Sequence, residues 1–263
     1  MLLSIDIGNS NIVVGLYFND VWTQTFRYET KDIQPEYYYE SALRNLFLEW
    51  GVSTSEVHRS VVSSVVPDMN DMILQAVHHV TGNWPLLLGP EVFKVLDLSV
   101  PHPYEIGSDL VCNAYAAIKK YGDRCIIVDF GTALTFTVSN LEKGILGVTI
   151  APGLKTAVSS LSSSTAQLPL VPMELPKSAI GHDTVSAIQA GVLRGYVGLV
   201  NEILHSMKAE LKEPYKVIAT GGLSAILYPL ESSFDILDKM LTLDGSRLIY
   251  EYYQKKITTT SSN

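Results

Sequence analysis

One short signature occurs twice in this chain, and it restricts the fold more than any other feature. The segment Asp6-Ile7-Gly8-Asn9-Ser10 follows an apolar run at residues 2–5, and Asp129-Phe130-Gly131-Thr132 follows another at residues 125–128. A second apolar stretch comes directly after each copy, which predicts a strand, a tight turn and a strand. One Asp-x-Gly is also an ordinary hairpin turn. Two copies, half a chain apart, indicate two related halves.

This turn has the chemistry of a metal–phosphate site. A glycine lets backbone N–H groups approach phosphate oxygens, nearby hydroxyl and amide groups add hydrogen bonds, and a carboxylate orients a hydrated cation. We therefore expect the two halves to face one nucleotide. The sequence contains neither a P-loop Gly-x-x-x-x-Gly-Lys-Ser/Thr nor a dinucleotide-binding Gly-x-Gly-x-x-Gly. This absence argues against the two commonest alternative nucleotide folds.

The composition indicates a globular protein of one large domain or two ordinary ones: 263 residues, 47% hydrophobic and 17% charged. The net charge of -8 argues against a nucleic-acid partner. No apolar run reaches the roughly 18 residues of a membrane helix, and the N-terminus lacks the basic region of a signal peptide. Cys112 and Cys125 lie in apolar sequence and are expected to be buried thiols of a cytoplasmic protein. The histidines show no metal-ligand spacing.

Strand meanders alternate with helices, and this order occurs twice. The predicted strands are residues 2–5, 12–18, 21–28, 60–66, 86–88, 125–128, 134–138, 145–150 and 217–220. The predicted helices are residues 36–50, 67–80, 108–121, a helix that starts at residues 152–153, 184–207, a helix after residue 222, and 246–255. Residues 159–165 are rich in serine and are expected to lie just after the end of a helix. The pattern predicts a duplicated α/β architecture, divided into residues 1–118 and 119–263.

These motifs resemble those of a known superfamily. The two Asp turns and the later Thr220-Gly221-Gly222 look like the phosphate-1, phosphate-2 and adenosine motifs of actin-like proteins. The finer pattern is similar to the type III pantothenate kinases. The matching segments are residues 6–11, 63–67, 103–109, 129–133, 152–154, 165–169, 181–184 and Gly191. The resemblance implies a duplicated actin-like (ribonuclease H-like) α/β fold with a nucleotide cleft between two halves.

The resemblance also implies an activity, the ATP-dependent phosphorylation of pantothenate to 4'-phosphopantothenate, the first step of coenzyme A synthesis. Asp6 would organise Mg²⁺ near the β- and γ-phosphates of ATP. The ATP-binding residues that it implies are Asp6, Ile7, Gly8, Asn9, Ser10, Asn11, Ile12, Val13, Thr132, Gly221 and Gly222. On the sequence alone, a turn-forming role explains Asp6 as well, and a strand-to-helix turn explains Gly221-Gly222.

Asp109 matches the catalytic aspartate of the family, which would accept the proton of the attacking hydroxyl. A helix cap explains Asp109 equally well on sequence alone. The implied substrate-binding residues are Val100, Gly107, Ser108, Asp109, Leu110 and Thr184, and helix N-capping is the local alternative for Thr184. Asp129 corresponds to the position that binds a monovalent cation, K⁺ or NH₄⁺.

The chain departs from the family at one position, because Leu110 stands where the family has arginine. That arginine belongs to the substrate segment, where a cation can hold the pantothenate carboxylate or the phosphates. Leu110 therefore keeps two alternatives open: a nucleotide-binding relative of weak or no activity that acts as an accessory protein, and a kinase for another small alcohol.

The family further implies a homodimer whose second subunit closes the pantothenate pocket. The long helix predicted at residues 184–207 carries a broad apolar stripe. Such a stripe fits a subunit interface, and it equally fits a helix that spans the core between the halves.

Overall fold

The structure is a computed structural model and describes residues 1–30, 33–164, 168–222 and 228–260. The chain forms two compact units. The first contains residues 1–116 together with the described residues from 241 onward, and the second contains residues 117–240. The motif segment at 165–167, the helix expected directly after Gly222 and the last three residues of the chain lie outside the described residues.

Each unit is built on one five-stranded sheet. The strands are β1 (Leu2–Ile7), β2 (Asn11–Phe18), β3 (Val21–Glu29), β4 (Arg59–Ser64), β5 (Leu86–Leu87), β6 (Arg124–Phe130), β7 (Ala133–Asn140), β8 (Gly144–Pro152), β9 (Lys216–Thr220) and β10 (Ile236–Leu237). The helices are α1 (Glu36–Trp50), α2 (Asn70–Thr81), α3 (Pro90–Phe93), α4 (Ser108–Tyr121), α5 (Leu154–Ser164), α6 (Thr184–Leu211) and α7 (Leu241–Thr260).

The two sheets have the same strand order, so the predicted duplication is confirmed. The first sheet runs β3-β2-β1-β4-β5 and the second runs β8-β7-β6-β9-β10. In both, three consecutive strands pair antiparallel, and the first of them then pairs parallel with the fourth. Since β1 and β4 are parallel, their carboxyl ends meet at one edge, as do those of β6 and β9. Each Asp turn lies at such an edge.

The two faces of the first sheet are covered by different helices, because neighbouring side chains in a strand point to opposite faces. Ile5 packs in a buried cluster with Tyr39 and Leu43 of α1. The hydroxyl of Ser4, on the other face, lies 2.6 Å from the hydroxyl of Ser246 in α7. Helices α1 and α2 therefore cover one face of the sheet, and α7 covers the other.

Helix α7 differs from the sequence expectation in its start and in its unit. It begins at Leu241 rather than at residue 246, and it packs on β1 and β4 of the first unit, although residues 119–263 were expected to form one half. The early start includes Gly245, which normally weakens a helix. The glycine is required here, since a β-carbon at Gly245 would overlap the backbone of Cys112 in α4.

The serine-rich segment is a second difference. Residues 159–164 lie within α5 rather than outside a helix. The hydroxyls of Ser160, Ser162 and Ser163 each donate to the carbonyl three residues earlier, at 2.8–3.3 Å, so their polar groups are satisfied without leaving the helix. The short helix α3 was not predicted from the sequence.

Other expectations are confirmed. Helix α1 has the predicted bounds, and it ends at Gly51, whose left-handed φ of 64° only glycine adopts readily. Both cysteines are buried free thiols. None of the helices in the described part of the chain combines the length and the apolar character that a membrane span requires.

Candidate functional site

The first Asp turn is held by hydrogen bonds within the turn and from Thr30, which directly follows β3. The Gly8 N–H donates to the Asn11 carbonyl at 2.9 Å, which closes the turn. The Thr30 hydroxyl donates to the Gly8 carbonyl at 2.7 Å, and the Thr30 N–H donates to the Ser10 carbonyl at 2.9 Å. Because Thr30 engages both carbonyl groups, they do not oppose an anion at the turn. The arrangement therefore suits a phosphate-binding loop.

Ser108 fixes the start of α4 to the end of β4. Its buried hydroxyl lies 3.0 Å from the Ser63 hydroxyl, accepts the Ser64 N–H at 2.9 Å and approaches the Ser64 carbonyl at 3.0 Å. In the sheet, Ser63 pairs with Asp6 of β1. Asp109, the next residue along α4, is thereby anchored at the edge of the sheet that carries the first Asp turn.

The carboxyl group of Asp109 is less acidic than that of an ordinary aspartate. Its burial raises the pKa of its carboxyl group, and the Leu110 N–H, which donates to Oδ1 at 2.8 Å, opposes this rise only in part. Gly107 makes room for the carboxylate, since a β-carbon there would overlap Asp109 Oδ1. A carboxylate with a raised pKa takes up a proton more readily at neutral pH.

The thiol of Cys112 lies within electrostatic range of both Asp6 and Asp109. Burial raises the pKa of Cys112 well above its usual value, and both carboxylates raise it further, whereas a hydrogen bond with Ser63 lowers it. Both aspartates are thus within electrostatic range of one buried sulfur. Two carboxylates at one sheet edge supply the hard oxygen ligands that Mg²⁺ prefers, so the residues present fit a divalent cation.

The other expected ATP-binding and substrate-binding residues of the first unit lie in β2, in the loop before α4 and in α4 itself. Leu110 is buried in the first turn of α4, with 8% of its surface exposed. Val100 is half-buried in the loop that precedes this helix. Ile12 and Val13 occupy opposite faces of β2, and Ile12 belongs to the apolar cluster beneath α1.

The second Asp turn is held by the start of α5. The Gly131 N–H donates to the Ala133 carbonyl at 3.1 Å. The Thr132 carbonyl accepts two hydrogen bonds of 2.9 Å, from the Gly153 N–H and the Thr156 hydroxyl. A β-carbon at Gly153 would overlap the carbonyl groups of Gly131 and Thr132, so glycine is required for this contact.

Asp129 and Gly221 together form a narrow cradle at the carboxyl ends of β6 and β9. Asp129 pairs with Thr220 of the neighbouring parallel strand. Gly221 has a φ of 90°, and a β-carbon there would lie 2.6 Å from Asp129 Oδ1 and 2.7 Å from both the nitrogen and the carbonyl oxygen of Phe130. Only glycine therefore fits beside the Asp129 carboxylate. Gly222 follows and is exposed.

Thr184 is not the cap of α6. The cap is Asp183, whose carboxylate accepts the Ser186 N–H at 2.9 Å while the Ser186 hydroxyl accepts the Asp183 N–H at 3.2 Å. The capping alternative for Thr184 is therefore wrong. Thr184 is an exposed residue that lines an apolar groove between α5 and α6, together with Leu161 and Val192.

One histidine has potential metal ligands nearby in space, although the sequence spacing gave no sign of it. His79 Nδ1 lies 2.7 Å from Glu36 and 3.6 Å from Glu40. Arg44 pairs with Glu40 at 2.8 Å. The cluster lies at the surface, and one of its two acids, Glu40, is already paired with Arg44.

Within the first unit, the structure brings together Asp6, Ser108 and Asp109; within the second, it brings together Asp129 and Gly221. Thr184 lies at the start of α6, apart from that cradle in sequence. Three residues that position the site were missed from the sequence: Thr30, Cys112 and Thr156. Each acts through a contact set by strand or helix packing, so no local motif marks it.

Known proteins resemble this chain along nearly its whole length. The sequence model described as type III pantothenate kinase matches residues 2–206. A type III pantothenate kinase of Geobacillus thermodenitrificans (strain NG80-2) is 39% identical over 260 residues, covering 97% of this chain and 99% of that protein. The protein of that name from Geobacter sulfurreducens (strain ATCC 51573 / DSM 12127 / PCA) is 37% identical over 251 residues, covering 95% and 98%.

Solved structures share the fold at low sequence identity. A conserved Baf family protein from Campylobacter jejuni, described as a transcriptional activator, has a TM-score of 0.59 at 20% identity, over 96% of this chain and 99% of that one. The activator of 2-hydroxyisocaproyl-CoA dehydratase from Clostridium difficile, with bound ADPNP, has a TM-score of 0.56 at 10% identity, over 100% and 97%. The expected actin-like α/β fold is confirmed. With its sequence matched along nearly its whole length, this chain belongs to the type III pantothenate kinase family.

Proposed function

We propose that this chain transfers the γ-phosphoryl group of ATP to the primary hydroxyl of pantothenate, the first step of coenzyme A synthesis. The observation that carries the proposal is the placement of Asp109, whose carboxylate has a raised pKa and lies at the same sheet edge as the first Asp turn. The full-length relatives support the substrate. An accessory protein without activity is not favoured, since the relatives above are named kinases.

In the proposed mechanism Asp109 is the general base. The pantothenate hydroxyl oxygen forms a bond to the γ-phosphorus, the bond between that phosphorus and the ADP oxygen breaks, and the hydroxyl proton passes to the Asp109 carboxylate. The protein forms no covalent bond to the reactants in this mechanism. Most of the rate therefore comes from positioning the reactants and neutralising the charge of the transferring phosphoryl group. Ser108 acts as a positioning residue, because its hydroxyl is engaged with β4.

The cations have separate proposed sites. Asp6 would hold Mg²⁺, and the turn at residues 8–11, with Ile7, Ile12 and Val13 beside it, would bind phosphate. When bound, Mg²⁺ supplies positive charge against the phosphate oxygens. The cradle of Asp129 and Gly221 takes K⁺ or NH₄⁺. Thr132 donates to ATP phosphate, and Gly221-Gly222 lies against the adenosine.

The substrate contacts are also proposals. Val100, Gly107 and Leu110 lie near Asp109 in sequence, and Thr184 opens α6. The groove beside Thr184 is apolar and sits next to the exposed Val185. A second copy of the chain is the proposed occupant of that groove, in a homodimer.

We expect ATP turnover that depends on pantothenate and Mg²⁺ and runs faster in K⁺ or NH₄⁺ than in Na⁺. The physical reason is the narrow cradle at Asp129, which needs a loosely hydrated cation. A coupled ADP-release assay measures this, with Asp129→Asn as the variant that loses the salt preference. Equal rates in all three salts would contradict the proposed cation site. Turnover without pantothenate would contradict the proposed substrate.

Leu110→Arg is expected to raise the KM for pantothenate. Leu110 is buried, and a guanidinium placed there without a partner costs desolvation energy. The volume-conserving control Leu110→Met should keep KM within about twofold. The opposite result, a KM lower by roughly 10-fold to 150-fold, corresponds to one charge-assisted hydrogen bond of about 1.5–3 kcal/mol. That result would mean that Leu110 marks a lost substrate contact.

The homodimer is expected in solution at micromolar concentration, with an interface above about 1,000 Å² that includes the groove between α5 and α6. Ala187→Glu places a charge in this groove and should shift the mass measured by light scattering towards the monomer. Glu210→Ala, at the far end of α6, is the matched control. A fully active monomer of the unsubstituted chain would overturn the shared pocket.

A further inference from the structure

A cavity of about 320 Å³ lies inside the first unit, between the sheet and the helices α1 and α2. Its sheet side is formed by Ile5, Ile12 and Val14. Its helix side includes Leu43 of α1 and Ile73 of α2. This volume falls within the range of natural small-molecule sites, which are mostly apolar and carry few polar groups.

The cavity shares one residue, Ile12, with the proposed ATP-binding set, and its other lining residues lie outside that set. Neither Asp6 nor Asp109 lines it. Ile5 and Asp6 are neighbours in β1, so their side chains point to opposite faces of the sheet. The Asp6 side of the sheet carries Ser4, which meets α7, whereas the cavity lies on the side of α1. A ligand in the cavity is thus separated from the carboxylates by the sheet itself.

Aromatic pairs stand on two sides of the cavity. Phe26 and Tyr28 of β3 have ring centroids 4.6 Å apart with a tilt of 56°, and Tyr38 and Tyr39 of α1 form an edge contact at 5.5 Å. Rings arranged in this way favour a further ring by offset stacking and edge contacts. The lining thus selects for an aromatic ligand over a flexible aliphatic one.

The polar groups of the lining restrict the ligand further. Arg27 and Glu29 alternate with Phe26 and Tyr28 along β3, so their charged side chains point to the sheet face away from the cavity. The Tyr39 hydroxyl accepts the Gln34 N–H at 3.1 Å and keeps its own proton to donate. These groups favour an uncharged molecule with one hydrogen-bond acceptor.

We infer that this cavity binds a small uncharged aromatic molecule that carries one hydrogen-bond acceptor. At the ~30 Å³ that a water occupies in the liquid, the volume holds about ten non-hydrogen atoms. A ligand of that size is expected to bind with a dissociation constant of about 0.1–1 mM. The inference does not depend on the proposed kinase activity.

The test uses quinoline, which has ten non-hydrogen atoms and one ring nitrogen as acceptor. Methyl NMR spectra of isotope-labelled isoleucines should show titratable shifts at Ile5, Ile12 and Ile73, and none at Ile126 and Ile218 of the second unit. The permanently charged N-methylquinolinium ion should bind at least about tenfold more weakly, because the apolar lining does not replace its hydration.

Variants separate cavity binding from surface binding. Ala42 lines the cavity, so Ala42→Trp should abolish the quinoline shifts. Ser41→Trp, on the exposed side of the same helix, should leave them unchanged. If Ala42→Trp fails to fold, the smaller Ala42→Leu should weaken binding at least about threefold by partial filling. Quinoline binding to Ala42→Trp, or unchanged isoleucine signals in the unsubstituted chain, would overturn the inference.

Discussion

Asp109→Asn is expected to lower turnover by roughly 10² to 10⁴, the usual contribution of a general base. The substitution keeps the oxygen that accepts the Leu110 N–H, so the start of α4 should retain its geometry. It removes the proton acceptor, because an amide does not take up the hydroxyl proton. Steady-state kinetics should show a lower kcat, and equilibrium ATP binding should remain close to that of the unsubstituted protein.

The same substitution, Asp109→Asn, should lower turnover without lowering the free energy of unfolding. The pKa of Asp109 is raised in the folded state, so the folded protein binds its proton more tightly than the unfolded chain does. The free energy of unfolding therefore falls as pH rises from the ordinary aspartate pKa through the raised one. The Asp109→Asn variant has no carboxyl group at this position to lose a proton. At neutral pH its free energy of unfolding should therefore be at least as large as that of the unsubstituted protein. In the unsubstituted enzyme, kcat/KM should fall as pH drops through the raised pKa.

Asp71→Asn is the matched control for this experiment, since Asp71 also lies in the first turn of a helix, α2, and is exposed. Its turnover should be unchanged. If Asp109→Asn kept near-normal turnover and instead lost stability, Asp109 would be a structural helix residue rather than the base.

Gly245→Ala is expected to have the largest effect on stability, a loss of about 3 kcal/mol in the free energy of unfolding. Alanine by itself favours a helix by about 1 kcal/mol over glycine. Here a β-carbon would overlap the carbonyl group of Cys112, and both partners are backbone atoms of packed helices. Relief requires α7 and α4 to move apart, which is the costly kind of overpacking. Chemical denaturation measures the change.

Gly198→Ala in α6 is the matched control, because none of the described residues, apart from the adjacent backbone of the same helix, comes within 4 Å of a β-carbon at that position. It should raise stability by about 0.5–1 kcal/mol. The two substitutions are chemically identical, so the opposite signs isolate the packing contact. A stabilising effect of Gly245→Ala would show that the two helices do not pack as closely as the structure has them.

The parts of the fold that local chemistry determines could be predicted from the sequence. Helix α1 was placed at its observed bounds because its apolar spacing and its terminal glycine agree. The strands around both Asp turns were predicted because apolar runs bracket a turn signal. The expected start of α7 was wrong because glycine disfavours a helix and Gly245 lies inside this one. Only the close approach of Cys112 explains why a glycine is found there.

In the candidate site, too, the residues marked by local motifs were predicted and those that act through long-range contacts were not. Asp6, Asp109 and Asp129 carry recognisable motifs. The groups that hold these motifs in place do not, since Thr30 reaches Gly8 from 22 residues away and Ser108 reaches Ser63 from 45. Such contacts depend on strand register and helix packing, which a single sequence does not specify.

The return of α7 to the first unit has a consequence for synthesis. The first unit is discontinuous along the chain, whereas residues 117–240 are continuous and are made before its last helix. At 5–20 residues per second, the ribosome needs roughly 6–25 s to cross that stretch. Through that time the face of β1 that receives α7 lacks that helix. Nascent protein is therefore expected to depend on chaperones most strongly before residue 241 emerges, and a stop codon that removes α7 should yield chains that are degraded rather than partly active enzyme.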